Sequence, residues 1–306
     1  MVRLAIGELK AMKERGEKIP MLTAYDYPTA KLVEAAGVPI ILVGDSLGMV
    51  VLGYDSTLPV TIEDMIRHGQ AVVRGAERAI VVVDMPFLSY QVSIEEALRN
   101  AGRILKETGA TAVKLEGGQS VAPTVQRLVE AGMPVMGHLG LTPQSVNQLG
   151  GYRVQAKTPA AVVKLINAAA ALERAGAFAI VLETVPANVA RLVTEKVGVP
   201  TIGIGAGPYC DGQVQVLHDF LGLFPDFLPR HARRFAELAG PVTDAVQRYI
   251  AEVQAGEFPS AQESFGLEKA RRMAAGSAGA PVSDGTTEEA RPFGGAGTLE
   301  SPRPAP

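Results

Sequence analysis

The chain has 306 residues, 47% hydrophobic and 20% charged, with a formal net charge of -3, so it can bury a large core as one α/β barrel or two smaller domains. Slight acidity without clusters of Lys and Arg among aromatics argues against a nucleic-acid surface. One cysteine, Cys210, excludes an internal disulfide, and four histidines without Cys-x-x-Cys or His-x3-His spacing exclude a zinc site.

Residues 1–8 meet a charge at Arg3 and another at Glu8 before the apolar region of a signal peptide can form, and no apolar run reaches membrane-spanning length. A cytoplasmic chain with no membrane partner is expected. Residues 20–23 supply a first strand candidate. Next, Glu34-Ala35-Ala36-Gly37 leads into residues 40–43, four β-prone side chains ending on Gly44-Asp45-Ser46-Leu47-Gly48. Thr61 with Asp64 opens a helix ahead of Met65, Ile66 and Val72, and residues 80–83 follow Gly75 as a strand. Ser93-Ile94-Glu95-Glu96 is a capping box; Ile94, Ala97, Leu98, Ala101, Ile104 and Leu105 then share one helical face.

The same grammar continues: an amphipathic stretch, a Gly able to end it in the left-handed conformation, then an apolar run. Gly109, Gly132, Gly176 and Gly198 precede strand candidates at 112–115, 135–139, 179–182 and 201–204. Thr158-Pro159 starts the helix between the fifth and sixth strands, and residues 214–217 supply the eighth strand. Residues 140–157 predict a long loop after the fifth strand, of the kind that forms lids. Eight β-then-α units fit a (β/α)8 barrel better than an open sheet, because about 250 residues is typical of that fold. A single catalytic domain with an N-terminal helix is expected over 1–265, and a disordered Gly, Ala, Ser, Pro and Glu tail over 266–306.

One position past each apolar run stand Asp45 with Ser46, Asp84, Glu116 with Lys114 just before it, His138, and Glu183. In a parallel barrel these ends converge on one mouth. Carboxylates so gathered repel unless a cation joins them, and oxygen donors without Cys or paired His favour a hard ion, Mg2+ above all. The plainer alternatives are specific. A lone Asp after a strand is often a helix N-cap, but neither Asp45 nor Asp84 precedes an evident helix start. Lys114 within a strand requires a partner, either Glu116 or an anionic substrate. His138 can equally be a satisfied core histidine, and Cys210, His68, His218 and His231 read as structural.

Two short motifs point elsewhere. Gly44-Asp45-Ser46-Leu47-Gly48 fits G-x-S-x-G, the nucleophile elbow of serine hydrolases, which requires a helix directly after the serine; Met49 to Tyr54 reads as extended instead. Gly203-Ile204-Gly205-Ala206-Gly207 lacks the third glycine of a dinucleotide loop and the Lys-Ser/Thr of a P-loop. It reads as a strand end that lets a ligand approach closely.

Longer segments carry a resemblance. VGDSLGMVVLGYDSTLPVT, VDMPFLSY, VKLEGG, GHLGLTPQSVNQLGGYRVQ and IGIGAGPYCDGQVQVLHDFLG, in this order, resemble the ketopantoate hydroxymethyltransferase family over about residues 3–265. The resemblance implies a (β/α)8 barrel of the phosphoenolpyruvate mutase and isocitrate lyase type, assembled as a homodecamer of five dimers. It implies transfer of a hydroxymethyl group from 5,10-methylenetetrahydrofolate to 3-methyl-2-oxobutanoate through a Mg2+-stabilised enolate, an early step of pantothenate synthesis. Position by position, Asp45 and Asp84 match ligands of the one Mg2+ per subunit and Glu116 the carboxylate beside it. Asp45, Ser46, Asp84, Lys114 and His138 match substrate contacts, and Glu183 the general base. Ala156-Lys157 departs from the family's usual Gly-Arg. Two alternatives stay open: a Mg2+-dependent enolate lyase or mutase, though the Lys-Lys-Cys-Gly-His setting of the isocitrate lyases is absent, and a non-catalytic barrel kept as a scaffold.

Overall fold

A computed structural model describes residues 3–224 and 228–266. From residue 267 the expected tail lies outside the described residues. The chain divides into two compact units, Met1–Thr243 and Asp244–Pro306, and the first contains the barrel. Its elements alternate: α1 (Ile6–Glu14), β1 (Ile19–Thr23), α2 (Tyr27–Ala35), β2 (Ile40–Val43), α3 (Leu47–Val50), α4 (Ile62–Gly75), β3 (Ile80–Asp84), α5 (Ile94–Thr108), β4 (Ala112–Glu116) and α6 (Ala122–Glu130). There follow β5 (Val135–Gly140), α7 (Val146–Leu149), α8 (Pro159–Arg174), β6 (Ala179–Glu183), α9 (Ala187–Lys196), β7 (Thr201–Ile204), β8 (Gly212–Gln215) and α10 (Leu217–Phe220), and a last helix, α11 (Ala239–Ala255), starts in the first unit and belongs mostly to the second.

Strands β1 to β8 pair in sequence order, all parallel, and β1 closes on β8. Local chemistry sets the helix ends. Thr61 and Asp64 form a complete capping box at α4. At α5 Ser93 caps the Glu96 N–H, and Gly109 ends the helix in the left-handed region.

Three expectations need correction. Strand β8 starts two residues earlier than 214, because Gly212 and Gln213 pair with Ile19 and Pro20 despite modest β propensity, and Leu217 opens α10 instead. Helix α9 ends on an extended Val197, so Gly198 is not a left-handed cap; its N–H goes to Glu173 Oε1. The stretch 140–157 is not a bare loop, since Pro143–Ser145 forms a 3-10 turn that runs into α7.

Side chains alternate across each strand, and the alternation sorts the core into two. Ile41, Val43, Val81, Val83, Val113 and Leu115 face the helical layer. Ile19, Met21, Ile40, Leu42, Ile80, Val82, Ala112, Met136, Ala179, Val181, Ile202 and Val214 form a second cluster, the barrel interior, together with Leu9 of α1. Counting on by two from these interior residues gives Asp84, Lys114 and Glu116, His138, and Glu183. One parity therefore carries apolar side chains low in the barrel and polar ones at its mouth. Among the described residues no helix is long and apolar enough to cross a membrane.

Candidate active site

Parallel register decides which polar side chains meet. Asp84 lies beside Lys114, and Glu116 beside His138. Lys114 Nζ sits 2.9 Å from Asp84 Oδ1, so its buried ion-pair partner is Asp84 rather than the Glu116 expected two residues along its own strand. Burial alone would lower the ammonium's pKa, but the charges of Asp84, Glu116 and Asp45 outweigh it and keep Lys114 protonated. Having no lone pair, Lys114 can only donate to His138 Nδ1 at 3.1 Å. That bond fixes the imidazole tautomer with its hydrogen on Nε2, and burial, then the neighbouring Lys114 charge, push its pKa well down so that it is neutral.

His138 Nε2 lies 3.1 Å from Glu183 Oε2, yet the angle makes no hydrogen bond and leaves this buried N–H without one. Glu183 ends β6, and its side chain keeps 14% of its surface open while those of Asp84, Lys114, Glu116 and His138 keep 3 to 5%. Burial raises the Glu183 carboxyl to about 7, against the opposing charges of Lys114 and His231. It is thus a reachable carboxylate poised to exchange a proton near neutral pH. Gly140 is paired with Glu183 at φ +94, and any side chain there would strike the Glu183 carbonyl.

Asp45 follows β2. Its N–H donates to Asp84 Oδ2 at 3.1 Å, and its Oδ2 accepts from Gln144 Nε2 at 2.9 Å. A helix, α3, does begin right after Ser46, correcting the extended reading, but the Asp45 side chain does not cap it. Ser46 has ordinary right-handed helical angles, φ -52 and ψ -19, and its hydroxyl shares a hydrogen bond with Tyr25 OH at 2.8 Å. With neither a strained backbone nor a histidine as that hydroxyl's partner, the serine-hydrolase reading loses its support.

All seven expected residues therefore stand at one end of the barrel. Three further residues were not anticipated. Gln144, in the 3-10 turn, links Asp45 to Glu116; Tyr90 accepts from the Glu116 N–H and donates to Gln144 Oε1 at 2.8 Å; Tyr25 holds Ser46. No periodicity marks them, though Pro143 before Gln144 and Ser93 after Tyr90 show where the chain turns. Of the histidines read as structural, His68 bonds the Tyr25 carbonyl and His218 packs on the Tyr25 ring. His231 is near enough to Glu183 to favour its ionised form.

The donor chemistry suits a hard cation. Asp45 is raised to about 7 by burial and then by Asp84, and Glu116 is pushed well up by burial and then by Asp45. Positive charge between them would relieve both. Among the described residues no three carboxylate, histidine or cysteine side chains already converge as a metal centre, but Asp84 Oδ1, buried and paired with Lys114 by charge alone, accepts no hydrogen bond.

Residues 3–261 match the ketopantoate hydroxymethyltransferase family model. A 3-methyl-2-oxobutanoate hydroxymethyltransferase of Dehalococcoides mccartyi strain CBDB1 is 60% identical over 88% of this chain and 96% of its own length. One of Chloroflexus aurantiacus strain J-10-fl is 56% identical over 90% of this chain and 97% of its own. Among solved structures, a 2,3-dimethylmalate lyase of the PEP mutase/isocitrate lyase superfamily superposes with a TM-score of 0.53 at 17% identity, covering 91% of this chain and 100% of that one. A phosphoenolpyruvate phosphomutase from Streptomyces platensis subsp. rosaceus gives 0.56 at 12%, covering 90% and 96%. These two likenesses show the fold, the closed eight-stranded parallel barrel described above.

Proposed function

This chain belongs to the ketopantoate hydroxymethyltransferase family, and we infer that it transfers a hydroxymethyl group to 3-methyl-2-oxobutanoate, giving 2-dehydropantoate for pantothenate synthesis. The observation that carries the chemistry is the placement of Glu183, a carboxyl with 14% of its side chain open whose Oε2 lies 3.1 Å from His138 Nε2, while Lys114 Nζ lies 3.1 Å from the other ring nitrogen.

Asp45, Asp84 and Glu116 would hold Mg2+, which when bound would neutralise their charges and stabilise negative charge developing on the keto oxygen. The protein's own groups supply the rest. Lys114 donates one N–H to His138 and pairs with Asp84 by charge, which leaves it N–H groups for the substrate carboxylate. Ser46, held by Tyr25, supplies a second contact to that carboxylate. The uncommitted His138 Nε2–H faces the oxygen side of the substrate or the product hydroxyl. Glu183 takes the proton from C3, and the carbon so released attacks the methylene carbon of 5,10-methylenetetrahydrofolate, the co-substrate of this reading. As the new C–C bond forms and the two methylene C–N bonds break, water supplies the product hydroxyl, and the C3 proton and the second proton of that water end on the two nitrogens of the departing tetrahydrofolate.

The experiment incubates the purified protein with 3-methyl-2-oxobutanoate and Mg2+, with and without tetrahydrofolate and formaldehyde. Product that forms only with the folate supports the transferase. Cleavage or rearrangement of a 2-oxo acid without folate would instead favour a lyase or mutase. A homodecamer in the cytoplasm completes the reading; light scattering tests the assembly, and a species smaller than ten chains would count against it.

A further inference from the structure

Gln144 is 4% exposed and lies where three parts of the mouth meet. Its backbone N–H donates to Glu116 Oε2 at 3.0 Å, and its side-chain nitrogen donates to Asp45 Oδ2 and to the Met85 carbonyl, each at 2.9 Å. Its Oε1 accepts from Tyr90 OH at 2.8 Å and Gln91 Nε2 at 3.2 Å. The amide orientation follows from chemistry, because a carbonyl only accepts and so the NH2 group must face Met85. The other N–H is then committed to Asp45. No polar atom of the side chain is left over.

We propose that Gln144 is a positioning residue for the cation, one that fixes the rotation of Asp45 and Glu116 so that each turns its other oxygen toward the ion. The proposal rests on the Mg2+ reading above. An amide serving only to anchor the chain after β5 would need no more than the Met85 carbonyl and the Tyr90 hydroxyl. The Gln144 amide instead also donates to one oxygen of Asp45, and the backbone N–H of the same residue donates to one oxygen of Glu116. Hydrogen bonds of this kind orient metal ligands, and losing them costs about 10- to 100-fold in metal affinity.

The test uses Mn2+ as the probe, titrated into the full chain and followed by the electron paramagnetic resonance signal of the free ion. Gln144→Met keeps the length of the side chain and the backbone N–H to Glu116 but removes the side-chain donor that holds Asp45, together with the amide's acceptor. We expect its Mn2+ Kd to rise about 10- to 100-fold, while the metal-free melting midpoint stays close to that of the unsubstituted chain. An unchanged Kd, or a loss of affinity matched by a collapse of the metal-free midpoint, would overturn the proposal. If the unsubstituted chain itself binds no Mn2+, both the cation reading and this inference fall, whereas equal binding by the two proteins sinks this inference alone. Should Gln144→Met not fold, Tyr90→Phe removes the shorter of the two hydrogen bonds to the same amide oxygen and leaves that from Gln91. A rise in Kd is then expected, and no rise overturns the proposal.

Discussion

The two ends of the barrel interior are built on the same eight strands and the same side-chain parity, yet they solve opposite problems. At the lower end Ile19, Met21, Ile40, Ile80 and Ile202 join Leu9 from α1 in an apolar plug. At the upper end the same parity presents Asp84, Lys114, Glu116, His138 and Glu183, almost as deeply buried. The plug gains stability from apolar burial at about 25 cal/mol per Å², whereas the mouth spends it on desolvated charge. The mouth is therefore maintained against a stability cost, as expected of a site where chemistry takes place.

Removing one member of the buried ion pair should break this contrast most sharply. Asp84→Ala leaves Lys114 buried with its direct partner gone and is expected to cost about 3–5 kcal/mol, measured by urea unfolding. It should also raise the Mg2+ concentration needed for activity; an unchanged metal requirement would contradict ligation by Asp84. In the plug, Leu9→Ala is expected to cost about 2–5 kcal/mol through the cavity it leaves, with KM and metal dependence unaltered. A change in either would mean the two ends are coupled rather than separate.

The smallest effect is that of pH. Glu183 must lose its proton to act as a base, so kcat/KM should rise with pH and level off above about 7. The stability term has the opposite sign. A carboxyl raised from 4.5 to about 7 on folding binds protons more readily in the folded state. Its contribution therefore favours folding at low pH and is lost as pH rises through that window. Glu183→Gln should flatten this part of the stability profile, as followed by thermal melting across the same range.

How far the sequence was legible differs between the ends as well. The plug follows from alternation, and the strand starts were readable because Ile and Val runs follow helix-ending glycines such as Gly109. Strand β8 was misplaced because Gly212 and Gln213 belong to it by register with β1, a long-range pairing that local propensity does not encode. At the mouth, the polar residues that close each apolar run were readable because a parallel barrel brings those strand ends together. Their partners were not. Lys114 meets Asp84 through inter-strand register, and Gln144 reaches Asp45, 99 residues away in the chain, because the segment after β5 folds over the mouth.

The central claim, that Glu183 is the base at the charged end, is tested most directly by deuterium exchange at C3 of 3-methyl-2-oxobutanoate, with Mg2+ and without folate. The unsubstituted protein should exchange that hydrogen. Glu183→Gln should still bind the keto acid and the metal but slow exchange by about 10²- to 10⁴-fold. Exchange persisting at the original rate in Glu183→Gln would contradict the account.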